Sequence, residues 1–231
     1  MRFLLKLSGE ALSADGKVFN GDYLADIAKQ IKQIIKDGNS VAVVSGGGNM
    51  CRGREFEEMG FDRVEADHMG MLATTLNCMA LAAALGKAKV KAKVMSAVNV
   101  DGVDPIDVKL ANELLDKKTV VLFGGGIGNP YFTTDTACAL RSIEIHADRI
   151  LIGKNGTDGV YDKDPNKFKD AKWFKELTFD ELLERKLTVI DATAASLCRE
   201  HGISLFVFNG NGKNNFAKAA SGKIKGTTIK A

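Results

Sequence analysis

No C-x-x-C pair occurs in this chain: its four cysteines stand at positions 51, 78, 138 and 198, and their spacings match no zinc pattern. They read as reduced core thiols of a cytosolic protein. A block of one charge is missing as well. The 32 lysines and arginines are scattered among 29 aspartates and glutamates, for a net charge of only +3. A nucleic-acid module gathers its basic residues on one face or tail, so this distribution argues against one. The mild basic excess suits a phosphorylated small molecule. Apolar runs are short, and Phe3–Leu5 is far too brief for a signal peptide. Met69–Leu85, the most apolar stretch, is interrupted by Thr74, Thr75 and Asn77 and falls short of the ~20 apolar residues that span a bilayer, so no membrane partner is expected. It reads instead as a helix buried on most sides; any face left uncovered would be a subunit interface. Linkers, repeats and low-complexity tracts are lacking too, which favours a single domain over residues 1–231.

What is present is a hydrophobic content of 45%, enough for one substantial core, and a regular alternation of patterns. Strand-like runs at Arg2–Leu7, Val41–Val44, Ala92–Met95, Val120–Phe123, Arg149–Ile152, Leu205–Phe208 and Gly226–Ile229 alternate with helical ones. The helical patterns lie at Leu24–Lys36, Met69–Leu85, Val108–Asp116, Thr134–His146, Phe179–Arg185 and Ala192–His201. This rhythm predicts an α/β fold, an open and mainly parallel sheet sandwiched by helices on both faces. Lys154–Asp170, polar and carrying Gly156, Gly159 and Pro165, reads as a loop or small hairpin inserted after a strand.

Ligands of an open parallel sheet bind beyond the carboxyl ends of its strands. Three such ends are rich in glycine or small residues: Lys6-Leu7-Ser8-Gly9, Ser45–Asn49 and Gly124–Asn129. Glycine lets a ligand approach the backbone, and unhindered N–H groups at a strand-to-helix turn form an anion cradle. The nucleotide fingerprints do not match. Walker A needs Gly-Lys followed by Ser or Thr, but the Gly-Lys pairs here precede Val18, Ala88, Asn155, Asn214 and Ile224. A dinucleotide fingerprint would follow the first strand, where Lys6-Leu7-Ser8-Gly9-Glu10 stands instead.

Five segments carry a family likeness: KLSGEAL (6–12), GGGNMCRG (46–53), DHMGMLAT (67–74), GNPYFTTD (128–135) and DGVYDKDP (158–165). Together they resemble the bacterial uridylate kinases, a branch of the amino acid kinase family, and the resemblance runs from residue 2 to about 230. It implies the amino acid kinase fold, with the N-terminal part mainly on the UMP side and the part from about residue 120 including the ATP side. It also implies transfer of the ATP γ-phosphoryl group to UMP, giving UDP and ADP for de novo pyrimidine nucleotide synthesis in the cytoplasm. Mg²⁺ would arrive on the ATP phosphates, keeping several waters, and no all-protein metal site is visible. A homohexamer built as a trimer of dimers and inhibition by UTP are further implications.

Residue by residue, Lys6, Arg52 and Asp135 would form the reaction centre. A lysine fixed at a strand end can aim a compact charge at the β- and γ-phosphates, and an arginine fork can grip phosphate oxygens. Asp135, at a helix start, would orient Lys6 or a metal-bound water; no general base is needed, because the acceptor phosphate is already anionic. Leu7, Ser8, Gly9, Gly48, Asn155, Tyr161 and Asp164 would complete the ATP site, with Lys154 as a further candidate phosphate contact. Gly47, Asp67, Ile127, Gly128, Asn129, Pro130, Tyr131, Phe132, Thr133 and Thr134 would hold UMP, with Tyr131 and Phe132 as apolar walls. Asp67 is expected to precede a helix and so to cap it as well as bind ribose. His68 is read as structural.

Two positions depart from the family pattern. Ile127 replaces a small hydroxyl residue, which leaves only backbone contacts there. Ala14–Asn20 replaces a G-F-G-I-like segment linked to GTP activation, which puts such control in doubt. The rival readings are another small-molecule kinase of the superfamily and a non-catalytic uridine-nucleotide sensor.

Overall fold

The computed structural model describes residues 1–14 and 16–231, the side chains of 53, 54 and 57 excepted. The Ala14–Asn20 segment thus lies within the described residues except at position 15.

Alternation within the first strand sets the layers. In β1 (Arg2–Leu7), Phe3, Leu5 and Leu7 pack with Ile27, Ile31 and Ile34 of α1 (Gly21–Lys36) and with Leu81 and Leu85 of the long helix Arg63–Lys87. Leu4 turns the other way and joins a second core with Ala137 and Cys138 of the helix Thr134–Glu144. Successive strand side chains point to opposite faces, so one strand seeds two cores and Lys6 falls on the face of Leu4. Each fully buried Leu, Ile or Phe contributes about 1.5–3 kcal/mol of transfer free energy.

The remaining elements follow in chain order. β2 (Ser40–Ser45) leads to α2 (Gly53–Glu58) and the long helix, α3. Then come β3 (Ala92–Ser96), β4 (Asp104–Pro105), α4 (Val108–Asp116), β5 (Val120–Gly124) and α5, the helix Thr134–Glu144. β6 (Arg149–Lys154) is followed by β7 (Val160–Tyr161), β8 (Trp173–Phe174) and β9 (Glu176–Thr178). The chain ends with α6 (Phe179–Glu184), α7 (Ala192–Glu200), β10 (Ser204–Asn209), α8 (Asn215–Ala220) and β11 (Gly226–Lys230). Nine strands form one sheet in the order β4-β3-β5-β2-β1-β6-β10-β11-β9. Every neighbouring pair is parallel except β10 with β11. The α/β reading therefore holds: a mainly parallel sheet with a core on each face.

From β1 the chain builds outward on one side through β2, and after β5 it crosses to β6 on the other side. The order reverses between β1 and β6, and such a switch point opens a crevice at the strand carboxyl ends. Lys6 and Lys154 end the two flanking strands. Lys6 lies opposite Ile152 in the register, and Lys154 shares the face of Ile150 and Ile152, the face of α5.

β1 and α4 span the residues that their sequence patterns indicate. The long helix does not. α3 starts at Arg63, not beside Met69, because Asp62 and Glu65 form a capping box: Asp62 accepts from the Val64 amide at 2.8 Å, and Glu65 Oε2 accepts from the Asp62 amide at 3.4 Å. Asp67 is therefore inside the helix and caps nothing. α8, β4, β8 and β9 lie outside the sequence patterns, being too short to show a period. The polar segment after β6 does hold a hairpin, with β7 antiparallel to β8.

α3 is long and apolar enough to cross a bilayer by length and composition alone. Here it packs on β2, β3, β5 and α1, burying Met71, Ala73, Cys78, Leu81 and Leu85. Leu72, Leu76 and Met79 remain exposed as a stripe on its other side. Cys78, Cys138 and Cys198 are buried and unbonded, as expected of core thiols. Burial pushes the Cys78 and Cys198 thiols up to about 12, which removes them as nucleophiles.

Candidate active site

Lys6 leaves the end of β1 on the α5 side and meets Asp135, the second residue of α5, in an ion pair. Both side chains are largely covered, at 19% and 17% exposure. Thr133 caps α5, its Oγ1 accepting from the Asp135 amide at 3.1 Å and the Thr136 amide at 3.3 Å, and this fixes the carboxylate over the positive helix end. Burial alone would lower the Lys6 pKa. The facing Asp135 carboxylate, with lesser help from Cys138 and Asp191, outweighs it and holds the ammonium above its ordinary value. Lys154 is the opposite case. Burial first, then the Lys6 charge, hold it below its ordinary value against the pull of Asp135. Two ammonium groups and one carboxylate thus sit at the switch point.

They line a cavity of about 600 Å³. Its floor is the strand ends. Gly9 touches the β2 loop so closely that an added Cβ would stand 2.6 Å from the Gly46 carbonyl oxygen and from the Gly48 nitrogen. At Gly47 a Cβ would stand 2.9 Å from the Gly70 carbonyl oxygen of α3. Polar residues of α3, noted in the sequence only as breaks in an apolar run, hold these loops. Asn77 donates to the Gly46 carbonyl at 2.7 Å and to Asn49 at 2.8 Å, and Thr74 Oγ1 accepts from the Gly125 amide at 2.8 Å. Because they serve loops far away in sequence, periodicity could not reveal them.

The opposite wall is the segment 127–134. Tyr131 has a φ of +69°, a left-handed conformation that costs a non-glycine residue about 1–3 kcal/mol. Its amide donates to Asp67 Oδ2 at 2.7 Å. The same carboxylate receives Arg63 Nε at 3.0 and 2.9 Å, and the Arg63 guanidinium lies 5.7 Å from the Tyr131 ring centre. At the far end, Thr133 and Thr136 donate to Asp191, the N-cap of α7.

A profile of the amino acid kinase family matches residues 1–209. The chain belongs to the amino acid kinase family. A uridylate kinase of Limosilactobacillus reuteri is 46% identical over 230 residues, covering 99% of this chain and 96% of that protein. The solved structure of UMP kinase from Ureaplasma parvum superposes with a TM-score of 0.95 at 38% identity, covering 100% of this chain and 98% of that one. That of UMP kinase from Bacillus anthracis gives a TM-score of 0.95 at 37% identity, over 99% of this chain and 95% of that one.

The residues singled out from the amino acid kinase likeness fall into four groups. Lys6, Leu7, Ser8, Gly9, Gly47, Gly48, Asp67, Ile127, Asn129, Phe132, Thr133, Thr134, Asp135 and Asn155 line the one cavity. Gly128, Pro130 and Tyr131 belong to its wall segment without lining it, and Tyr131 is turned outward, 67% exposed. Tyr161 and Asp164 line an adjoining cavity of about 440 Å³ that shares Lys154 with the first. Arg52 stands apart: half-exposed, it donates to the Gly48 carbonyl at 3.2 Å and pairs with Glu10 at 3.2 Å and Glu55 at 3.5 Å. Arg63 and Thr74 line the first cavity without having been assigned to a site, and Lys154, the candidate phosphate contact, lines it too. Among the described residues no group of three or more His, Cys, Asp or Glu could hold a metal. Asp135 Oδ1, closed to solvent, faces the Lys6 ammonium but has no well-aligned hydrogen-bond donor. A cation brought in on a polyphosphate would meet the other Asp135 oxygen, which carries the side chain's remaining exposure.

Proposed function

We infer that this chain is a UMP kinase, transferring the γ-phosphoryl group of ATP to UMP to give UDP and ADP. The observation that carries the reading is the half-buried Lys6–Asp135 pair, set between two glycine loops and the G-N-P-Y-F-T-T-D segment at the sheet's switch point. Two polyanions must meet head-on for this reaction, and catalysis is positioning plus charge neutralisation.

A phosphate oxygen of UMP attacks the γ-phosphorus, and the bond from γ-phosphorus to the β–γ bridging oxygen breaks. Lys6 lies between the two phosphates and takes up charge that spreads over the moving group. Lys154 supports the ATP phosphates from β6. Asp135 holds Lys6 charged and aimed, and abstracts no proton. Backbone groups of Leu7, Ser8, Gly9 and Gly48 cradle the donor phosphates, and Asn155, Tyr161 and Asp164 surround adenosine. Gly47, Asp67 and residues 127–134 hold UMP, with Ile127 contributing only backbone. Arg52 grips phosphate once its guanidinium exchanges Glu10 for the substrate. Asp135 would face Mg²⁺ carried in with ATP, which when bound would add neutralising charge to the phosphates.

The exposed stripe Leu72, Leu76 and Met79 suits a dimer contact, the unit from which a homohexamer is built. A cytoplasmic role in pyrimidine nucleotide synthesis, with inhibition by UTP, completes the reading. ADP release is measured with UMP, CMP, dCMP, aspartate and glutamate as acceptors. Turnover with UMP alone is expected. Turnover with an amino acid would point to another kinase of the superfamily, and UMP binding without turnover to a sensor.

A further inference from the structure

Arg63 is assigned no role in the reaction above, yet it joins three features of the acceptor wall. Its Nε reaches both oxygens of Asp67, at 3.0 and 2.9 Å. Asp67 Oδ2 also receives the Tyr131 amide at 2.7 Å, and the Arg63 guanidinium lies 5.7 Å from the centre of the Tyr131 ring. Tyr131 itself is held at a φ of +69°. A bulky residue stays in that conformation only where its surroundings over-determine it, and here they include one carboxylate and one cation. Both come from the first turns of α3, which the Asp62–Glu65 capping box makes rigid. The sequence pattern D-R-V-E-A-D places Arg63 and Asp67 four apart, so they share a helix face one turn from the cap.

We propose that Arg63 is a positioning residue for the nucleoside monophosphate: with Asp67 it latches Tyr131 in its left-handed conformation and so holds segment 127–134 in the shape that accepts UMP. The proposal rests on the UMP kinase reading. Each Asp67 oxygen has two lone-pair directions, and the bonds to Arg63 and Tyr131 leave capacity for a sugar hydroxyl. Arg63 therefore orients the carboxylate without saturating it. The guanidinium lies 5.7 Å from the ring centre while its Nε reaches both carboxylate oxygens, a combination that a lysine ammonium reproduces only in part. Asp67 and Tyr131, which Arg63 holds, both belong to the acceptor wall, so its effect should fall on UMP and leave ATP alone.

The test is steady-state kinetics on the full chain with UMP and ATP varied in turn. R63M is expected to raise KM for UMP about tenfold while kcat and KM for ATP stay within about twofold. R63K, the gentler change that covers a failure of R63M to fold, is expected to raise KM for UMP about threefold, with the same selectivity. In a Tyr131→Gly background, where the left-handed conformation needs no latch, R63M should change KM for UMP by less than about twofold. An unchanged KM for UMP in R63M, or in R63K should R63M not fold, overturns the proposal. So does an equal rise in KM for ATP. A full tenfold effect persisting in the Tyr131→Gly background overturns it too, since Arg63 would then act on the substrate directly. The UMP kinase reading fails separately, if the unaltered chain shows no turnover of UMP at all.

Discussion

The Lys6–Asp135 centre and the segment 127–134 share one cavity, yet different forces hold them. The centre is fixed by backbone. Strand alternation puts Lys6 on the α5 face, and the Thr133 cap puts Asp135 at the start of α5, so the pair meets with little left to side-chain choice. The acceptor segment is fixed by long side chains from other elements: Arg63 and Asp67 of α3 at Tyr131, and Asp191 before α7 at Thr133. One wall belongs to the fold; the other is tied on. The chemistry should therefore be hard to alter without disabling the enzyme, whereas acceptor affinity should be adjustable by single substitutions.

Substitutions can break that contrast at several points, and the expected effects run from large to small. Asp135→Ala should lower kcat about 10²–10³-fold, because the Lys6 ammonium loses the partner that keeps it charged in a buried place. Asp135→Asn should lose activity too, without the loss of an acid-to-neutral limb in the pH–rate profile. An Asp135 that must accept a proton would show such a limb in the unaltered enzyme.

Next in size is Gly9→Ala. Its Cβ would stand 2.6 Å from two backbone atoms of the β2 loop, and chemical denaturation should register a loss of about 1–3 kcal/mol. Lys154 then separates the two ammonium groups by pH. Its pKa lies below the ordinary lysine value of 10.5, whereas that of Lys6 lies above it. The charged, active form of Lys154 prevails below its midpoint and the neutral form above it. The alkaline fall in kcat/KM for ATP should therefore be centred below 10.5, and Lys154→Arg should move it to higher pH. Smallest is Arg52→Met, expected to cost less than about tenfold in kcat/KM, since the guanidinium is half-exposed and already engaged with Glu10 and Glu55. A loss as large as that of Asp135→Ala would place Arg52 in the centre.

The sequence exposes the backbone-fixed wall better than the tied-on one, for the same physical reason. The places of Lys6, on an alternating strand that runs into Ser8-Gly9, and of Asp135, at a helix start, are legible in the residues, while their reactive roles come with the family resemblance. The parallel sheet follows from the alternation of short apolar runs with helical ones. What escaped were contacts between residues distant along the chain. Thr74 and Asn77 look like flaws in an apolar helix until the loops they hold are seen, and Arg63 looks like an ordinary first-turn cation. Asp67 lies inside the helix and not before it, because the D-x-x-E pattern at 62–65 caps α3 ahead of its first long apolar run. Tyr131, read as an apolar wall of the cavity, faces outward because its left-handed backbone turns the ring toward Arg63. Of the two aromatic residues, Phe132 alone lines the cavity.

The most direct measurement is the single-turnover rate of γ-phosphoryl transfer from ATP to UMP in Lys6→Met, with the variant's fold checked by circular dichroism. If a fixed ammonium at the end of the first strand neutralises the moving group, the rate falls about 10²–10³-fold while the UMP affinity barely changes. A folded Lys6→Met protein that transfers phosphoryl at the unaltered rate would contradict the account.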